Sequence, residues 1–460
     1  MSSQNGTTLN VENSTLMLTG KAQLTGGAAV TAANASLSGT SQFSASSLNV
    51  AGRLTLAGQA SLSAGSTTAS IVEIDGNSAS VNGSLSIGES LIFSNASDRT
   101  FSNTVNASNS GSGYSVAVNN STVTYGDAAA FNGINGTTIS GNSTLRVNAG
   151  NLDALGAAAA LSETGSNRLE ILGLNDAIRI SGISFTGDDN DTVLLSGNGA
   201  QINVGSGVFG GYDGWVEITG VTANLAHNFL GENTGIRIGE SASLVWNGGE
   251  GNNQQTSVAK IGWGGSRPDS AVLDLSEYQF TRNGAAPIAA QSVDASHSGV
   301  VRVNDSAVVN LDTSVRDSGS VFSFLGGERV TQIIQAESVT GGTNSLAVEV
   351  VGAQEDRVLK NFGTNGMLLS SDDQTNASLA AAQGSWGYKA AFNQNGVGVT
   401  YALEDLTLLG GDDESRALTL TTEGSSYATN LDAQILGNGI INVEAGSGQG
   451  DCMKQAPEVG

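Results

Sequence analysis

The sequence has very little cysteine and positive charge, and each shortage excludes a class of protein. A single cysteine, Cys452, excludes an internal disulfide framework. Only 18 Lys and Arg stand against 42 Asp and Glu, which gives a formal net charge of −24. Because such a surface repels phosphate backbones and anionic lipids, nucleic-acid binding is not expected. No apolar run approaches membrane-spanning length, so we do not expect this chain to span a membrane.

Proline, aromatic residues and charge are also scarce, whereas glycine is abundant. There are 3 Pro and 63 Gly, aromatic residues make up 5% and charged residues 13%. Low charge and many small polar residues could indicate disorder. However, 39% of the residues are hydrophobic and they come in short alternating groups. This pattern favours a repetitive all-β protein.

The first hundred residues carry a period of about 19. Successive glycines are separated by 19, 19 and 18 residues (39−20, 58−39 and 76−58), and two apolar positions keep nearly the same step. These positions are Gly20, Gly39, Gly58 and Gly76; Leu18, Leu37, Leu56 and Ile74; and Leu24, Phe43, Leu62 and Val81.

Alternating strands inside such a short repeat predict a parallel β-solenoid with three strands in each coil of about 19–22 residues. If that period continued throughout, the chain would hold about 18–21 coils. The apolar spacing of a helical repeat is absent, and NLDALGAAAALSE (151–163) is the one plausible short helix.

The middle of the chain has longer insertions, more charge and three of the four tryptophans. Because loops on one side of a solenoid often form its binding face, we expect the ligand site here. The predicted organisation is regular coils in 1–166, coils with longer loops in 167–335, further coils in 336–380, a cap in 381–448, and a linker or added tail in 449–460.

Acidic loops offer the first candidate chemistry. A glycosidase needs two carboxyl groups on opposite sides of a sugar linkage. The loop GDDND (187–191) could supply one group, and Asp213 or Glu217 the other. The alternatives are a calcium site or, as we favour, solvated turns. His227 and His297 lack metal-ligand neighbours, so no metal and no cofactor are expected.

Aromatic and amide side chains offer the second candidate, a glycan-binding surface. Aromatic faces stack on sugars and amides bind hydroxyls, although the same aromatic residues could simply fill the core. The candidate binding residues are Asp188, Asp189, Asp191, Tyr212, Asp213, Trp215, Trp246, Asn252, Asn253, Trp263 and Arg267.

The segment 384–448 contains the most strongly alternating strands of the chain. In GVGVTYALEDLTLLGG (396–411) the apolar phase flips at Glu404–Asp405, which predicts a strand, a turn and a second strand. The segment holds three motifs of regularly spaced apolar or small residues, which are Tyr401, Leu403, Leu406 and Leu408; Leu431, Ala433, Ile435, Gly437 and Gly439; and Ile441, Val443, Ala445 and Gly446.

This segment resembles the C-terminal passenger region of enterobacterial autotransporter adhesins of the self-associating and diffuse-adherence type. The resemblance implies a right-handed parallel β-helix, exported through an outer-membrane barrel that is outside this sequence and displayed at the cell surface. It also implies a C-terminal β-hairpin cap that nucleates folding, so deletion of 381–448 is expected to leave the remainder poorly folded.

The sequence therefore predicts a non-catalytic surface adhesin that promotes aggregation, biofilm formation or attachment. Its expected partners are like passengers on neighbouring cells, or host and matrix glycans. A polysaccharide-degrading β-helix enzyme is the alternative, and a phage tailspike or S-layer fragment is a third, less favoured possibility.

Overall fold

The computed structural model divides the chain into two units, Met1–Leu244 with Val258–Gly262 and Val245–Ser257 with Trp263–Gly460. The residues described are 2–3, 8–109, 112–174, 178–205, 207–224, 230–231, 233–246, 255–267, 270–280, 285–304, 307, 329–341, 346–351, 357–358, 379–393, 396–410, 417–422, 432–436 and 440–445.

Almost every described element is a strand. Up to residue 245 the strands are Ser2–Ser3, Leu9–Leu18, Gln23–Gly26, Ala29–Leu37, Gln42–Ala57, Ser61–Asp75, Ser80–Ser94, Arg99–Phe101, Thr104–Ala107, Tyr114–Asn119, Thr122–Tyr125, Ala130–Asn132, Ile134–Ser140, Thr144–Asn148, Ala158–Leu161, Arg168–Leu174, Ile178–Ile180, Ser184–Gly187, Thr192–Val204, Gly211–Tyr212, Trp215–Asn224, Gly235–Ile238 and Ala242–Val245. The later strands are Thr256–Trp263, Ala271–Leu275, Ile288–Ala295, Gly299–Asn304, Arg329–Gly341, Leu346–Val351, Arg357–Val358, Leu379–Asn393, Gly396–Gly410, Ala417–Thr422, Asp432–Leu436 and Ile440–Ala445.

The predicted parallel β-solenoid is confirmed, with about 11 turns. In the early coils Gln42–Ala57 pairs with Ser61–Asp75 in three short runs, with one gap and one shift of register between them. Each coil therefore carries three strands, as the period predicts.

Apolar side chains of successive coils stack in columns inside the first unit. Both predicted columns pair in register. One column continues through residues that are almost all fully buried: Leu18, Leu37, Leu56, Ile74, Phe93, Val118, Ile139 and Leu161. Because each side chain contacts its equivalents above and below, a repeat of short apolar strands suffices to build a continuous core.

The recurring glycines mark a tight corner between coils. Gly20, Gly39, Gly58 and Gly76 all have φ between +62° and +80°. A β carbon on Gly39 would come within 2.9 Å of the Gly20 backbone. Glycine recurs at this corner because it adopts positive φ without strain and leaves room for the close stacking of neighbouring coils.

The coils lengthen along the chain, so there are fewer of them than a 20-residue period throughout predicts. Leu145 pairs with Leu169 after 24 residues (169−145), and Leu273 pairs with Val301 after 28 (301−273). The added residues lie in the loops between strands. The predicted domain boundaries stay predictions.

The predicted helix in residues 151–163 is only partly right. A 3₁₀-helix covers Ala149–Leu155, and Gly156, with φ +72°, ends it. The alanine run continues as strand Ala158–Leu161, which pairs with Ile134–Ser140 and Ser184–Gly187. Parallel pairing on both edges of this strand outweighs the helix propensity of its three alanines and one leucine.

Antiparallel pairs interrupt the parallel pairing of the second unit, which resumes between Gly396–Gly410 and Asp432–Leu436 and between Ala417–Thr422 and Ile440–Ala445. Arg329–Gly341 pairs in parallel with Ile288–Ala295 and antiparallel with Gly396–Gly410. The latter strand also forms an antiparallel hairpin with Leu379–Asn393. A C-terminal hairpin is therefore present as predicted, but it joins these two strands and not the two halves of 396–411. It covers an edge that parallel coils would otherwise leave open.

The predicted turn at Glu404–Asp405 is wrong, because Gly396–Gly410 is one continuous strand. Trp386 lies opposite Leu403, and Ser385 lies opposite Asp405, so Glu404 is an extra residue. Such a β-bulge shifts the alternation by one position. The phase flip in the sequence is therefore a bulge. The predicted positions Leu431, Gly437, Gly439 and Gly446, together with Cys452 and His227, lie outside the described residues.

Candidate functional site

A buried ladder of hydrogen bonds runs along one corner of the first unit. At equivalent positions of successive coils, a backbone N–H donates to a side-chain oxygen of the next coil, over 2.9–3.2 Å. The donor–acceptor series is Ala96 to Ser121, Ser121 to Ser143, Ser143 to Asn167, and Asn167 to Asp191. All five residues are buried, so the ladder replaces hydrogen bonds that water cannot supply there.

Asp191 is the last member of this ladder, and its carboxylate is fully buried. One oxygen accepts hydrogen bonds from the Asn167 backbone and side chain, and the other accepts one from the Asp188 N–H. Burial raises the pKa of Asp191, although these donors act against that shift. Gly214 occupies the equivalent position of the following coil. The carboxylate therefore holds the turn and does not face a ligand.

Replacing Asp191 by alanine is expected to lower the free energy of unfolding by about 2–4 kcal/mol, because the buried N–H and side chain of Asn167 and the partly buried N–H of Asp188 lose their acceptor. Asp191→Asn keeps one acceptor and is expected to lose about half as much. Urea unfolding followed by circular dichroism measures both. The exposed neighbour Asp189 provides the control, since its alanine variant should stay within about 0.5 kcal/mol of the parent.

The outward face beside this corner carries a surface of charged residues and one tryptophan. Equivalent outward positions of successive coils bring together residues far apart in sequence. The Trp215 surface consists of Arg146, Arg168, Glu170, Trp215, Glu217, Arg237 and Lys260.

Arginines hold both carboxylates of the Trp215 surface. Glu170 accepts hydrogen bonds from Arg146 and Arg168, each 2.8 Å long. Arg168 also reaches Glu217 with two nitrogens at 3.1 Å. Partial burial acts to raise the pKa of Glu170, but the two arginines outweigh it and leave the pKa below its ordinary value.

This depressed pKa predicts a stability term that acid removes. A lowered folded-state pKa means that the contribution is present above the ordinary glutamate value and is lost as pH falls through the folded-state value. We expect Glu170→Gln to cost about 0.5–1 kcal/mol at pH 7, since all three groups are partly exposed, and nothing once Glu170 is protonated. Urea midpoints from pH 7 to pH 3 test this. The exposed Glu89→Gln is the control at pH 7, where it should stay within about 0.5 kcal/mol of the parent.

Trp215 lies half-buried between cations. Arg237 Cζ is 4.4 Å, and Lys260 Nζ 5.8 Å, from the centroid of the indole ring. Gly235 pairs with Trp215, and a β carbon there would approach both the indole and the Lys260 side chain to 3.0 Å. A glycine in this position thus lets the indole lie across the next coil, where guanidinium and ammonium groups meet its π face.

Three other predicted aromatic site residues belong to the core. Tyr212 is 1% exposed, and its hydroxyl donates to the Trp215 carbonyl over 3.3 Å. Trp246 is fully buried and donates to Thr256 Oγ1 over 2.8 Å. Trp263 is fully buried, and a side chain at Gly299 would overlap its ring. These aromatics supply large buried area to cores made of small residues, which is the alternative that the sequence left open.

The remaining predicted site residues lie at the surface or outside the described ranges. Asp188 is half-exposed and accepts a hydrogen bond from the Asn190 N–H, while Asp213 is exposed and its carbonyl accepts one from Lys260. Arg267 is exposed in the second unit. Asn252 and Asn253 lie outside the described residues.

The sequence carried a signal for both the ladder and the Trp215 surface. A small polar residue or glycine precedes each strand of this face, and outward residues alternate with apolar ones behind it. The segments are STVTY (121–125), STLRV (143–147), NRLEI (167–171), DTVLL (191–195), GWVEI (214–218) and TGIRI (234–238). Their irregular spacing conceals the repeat from a search for one fixed period.

None of the comparisons with known proteins returned a match, whether to a family model, to a curated protein or to a solved structure. The resemblance of residues 384–448 therefore stays a prediction. Within the described ranges, no helix has the length and apolarity to cross a membrane. In the same part of the chain, no group of three His, Cys, Asp or Glu side chains is placed to hold a metal ion.

Proposed function

We propose that this chain is the non-catalytic passenger of an autotransporter adhesin, displayed at a bacterial surface, where it promotes aggregation or attachment. The observation that carries the proposal is the occupation of the carboxylates around the candidate site. Asp191 binds backbone amides, and Glu170 and Glu217 bind arginines.

These contacts favour binding over glycoside hydrolysis. A general acid needs a carboxyl group that is protonated near neutral pH and can reach substrate. Glu170 has a lowered pKa, and Asp191, whose pKa is raised, is fully buried. Repeated outward faces, by contrast, offer many weak polar contacts over a long array of coils, which suits adhesion.

Display on bacterial cells or beads tests the proposal. Cells bearing the chain are expected to aggregate, or to attach to glycan-coated or matrix-coated surfaces, while cells bearing an unrelated solenoid are not. The same preparations are incubated with a panel of polysaccharides and analysed for shortened products. Depolymerisation, or the absence of both aggregation and attachment, contradicts the proposal.

A further inference from the structure

We propose that Asn142 and Asn190 are acceptor sites for N-linked glycosylation, in which a transferase joins an activated sugar to the side-chain amide. Both asparagines belong to the motif Asn-x-Ser/Thr, which marks glycosylation acceptors in surface loops. The motif recurs along the chain, so its presence alone identifies no site. The fold of the first unit selects these two asparagines from the other copies. The inference goes beyond adhesion, because it concerns a covalent change to the chain.

Position relative to the strands separates the copies of the motif that the structure describes in the first unit. In six of them the asparagine lies inside a strand that pairs with neighbouring coils: Asn13, Asn34, Asn82, Asn106, Asn119 and Asn135. In four the asparagine lies between strands: Asn95, Asn120, Asn142 and Asn190. A transferase must surround the acceptor amide, and a loop permits this more readily than a paired strand.

The four loop asparagines lie at one corner of the solenoid, beside the buried ladder. Each directly precedes a ladder residue, and these residues are Ala96, Ser121, Ser143 and Asp191. All four asparagines are exposed, and Asn95, Asn120 and Asn142 have φ between +48° and +63°. Because the ladder holds the backbone of this corner from the inside, the asparagine side chains lie at the surface without carrying the fold.

Hydrogen bonds of the amide nitrogen distinguish two asparagines from the other two. Asn95 Nδ2 donates to Asp75 Oδ1 over 2.9 Å, and Asn120 Nδ2 donates to Asn95 Oδ1 over 3.1 Å. Within the described part of the chain, Nδ2 of Asn142 and Nδ2 of Asn190 have no hydrogen-bond partner. The nitrogen that must accept a sugar is therefore free at Asn142 and Asn190 and occupied at Asn95 and Asn120.

Sugar transfer requires this nitrogen to act as the nucleophile. Nδ2 attacks C1 of a sugar carried on a diphosphate, the bond between C1 and the diphosphate oxygen breaks, and its electron pair leaves with the diphosphate. One amide proton passes to a base of the transferase. Asn142 Oδ1 accepts a hydrogen bond from the Ser166 N–H over 3.0 Å, which orients the amide and leaves Nδ2 free.

The hydroxyl groups of the two motifs are free as well. Thr144 and Thr192 follow Asn142 and Asn190 by two residues, and each is the first residue of its strand. Both threonines are partly exposed, and neither hydroxyl has a partner among the residues described. Each hydroxyl can therefore bind the transferase while the amide beside it receives the sugar.

Peptide mass spectrometry after enzymatic transfer tests the inference. The purified, folded chain is incubated with a soluble glycosyltransferase that reads Asn-x-Ser/Thr and with nucleotide-activated glucose. We expect glucose on Asn142 and Asn190, and none on Asn95, on Asn120 or on the six strand asparagines. A proteolytic digest of the same chain should accept glucose at the strand copies too, because its peptides are not held in a sheet.

Threonine variants keep both asparagines at their corner and remove one motif at a time. Thr144→Val deletes the hydroxyl and keeps a β-branched side chain, so it should abolish transfer to Asn142 and leave transfer to Asn190. Thr192→Val should have the reverse effect. Thr144→Ser restores the hydroxyl and is expected to restore transfer. An unchanged urea midpoint in each variant shows that the loss does not come from unfolding.

Three results overturn the inference. The first is a folded chain that gains glucose at neither Asn142 nor Asn190. The second is equal transfer to the hydrogen-bonded Asn95 and Asn120, which would show that a free nitrogen does not select the acceptor. The third is undiminished transfer to Asn142 in Thr144→Val. None of these results bears on adhesion, because aggregation is measured with cells that display the unmodified chain.

Discussion

Phe93→Ala is expected to lower the free energy of unfolding of the first unit by about 3–5 kcal/mol. The phenyl ring is fully buried, lies between Ile74 and Val118 in the apolar column, and meets Phe101 edge-on with 5.1 Å between ring centroids. Alanine would leave a cavity between two coils that hydrogen-bond to each other, so the walls cannot close on it without breaking the ladder.

Hydrogen exchange shows which coils Phe93→Ala destabilises. Each coil of a solenoid contacts only its neighbours, so the amides of Ser61–Asp75 and Tyr114–Asn119 should lose the most protection. Phe93→Leu should cost less than about 1.5 kcal/mol, since the column stays filled. Met17, 64% exposed, gives the apolar-to-alanine control and should change stability by under about 0.5 kcal/mol. A loss spread evenly over both units would contradict this account.

The core of the early coils could be predicted from the sequence because few residue types fit the positions that repeat. Positive φ restricts the corner to glycine, and stacking restricts the columns to apolar residues, so both repeat every 18–19 positions. Later coils obey the same rules with loops of varying length. Sequence separation then no longer gives the register, which only the hydrogen-bonded pairing supplies.

The position of each side chain relative to the sheet was harder to predict. A reversal of the apolar alternation along a strand is equally compatible with a turn and with a β-bulge. Only the pairing across the hairpin, in which Glu404 has no partner, identifies the bulge. A tryptophan suits the core and the outer face equally well. Trp215 and Trp263 differ because Gly235 opens space outside the sheet, whereas Gly299 opens space for a buried ring.

Acidic loops were ambiguous for a related reason. A short run of aspartates can bind a ligand, face water or accept backbone N–H groups, and composition alone does not separate these roles. In residues 187–191 one aspartate completes the buried ladder while its neighbour Asp189 is exposed. Only the alignment of Asp191 with Asn167 and Ser143 identifies the structural role.

Deletion of residues 381–448 is expected to leave the second unit largely unfolded. The deletion removes nearly all of the hairpin, and with it the antiparallel partner of Arg329–Gly341. Ile333, Ile334 and Val397 are fully buried at this junction, so their cover would be lost as well. The uncovered strand edge then invites pairing with other chains, and we expect both a weaker β-sheet signal and association that grows with concentration.

Circular dichroism and sedimentation at several concentrations measure these effects, and deletion of 449–460, predicted to be a linker or tail, provides the control.

The physical reason for so large an effect is cooperativity. Many coils consist of serine, threonine and asparagine with few large apolar residues, so each gains little by folding alone and depends on a neighbour already in place. A hairpin of two 15-residue strands is local in sequence and closes with little loss of chain entropy, so it can form early and template the next strand. An undiminished sheet signal with cooperative unfolding in the truncated chain would show that the coils nucleate without it.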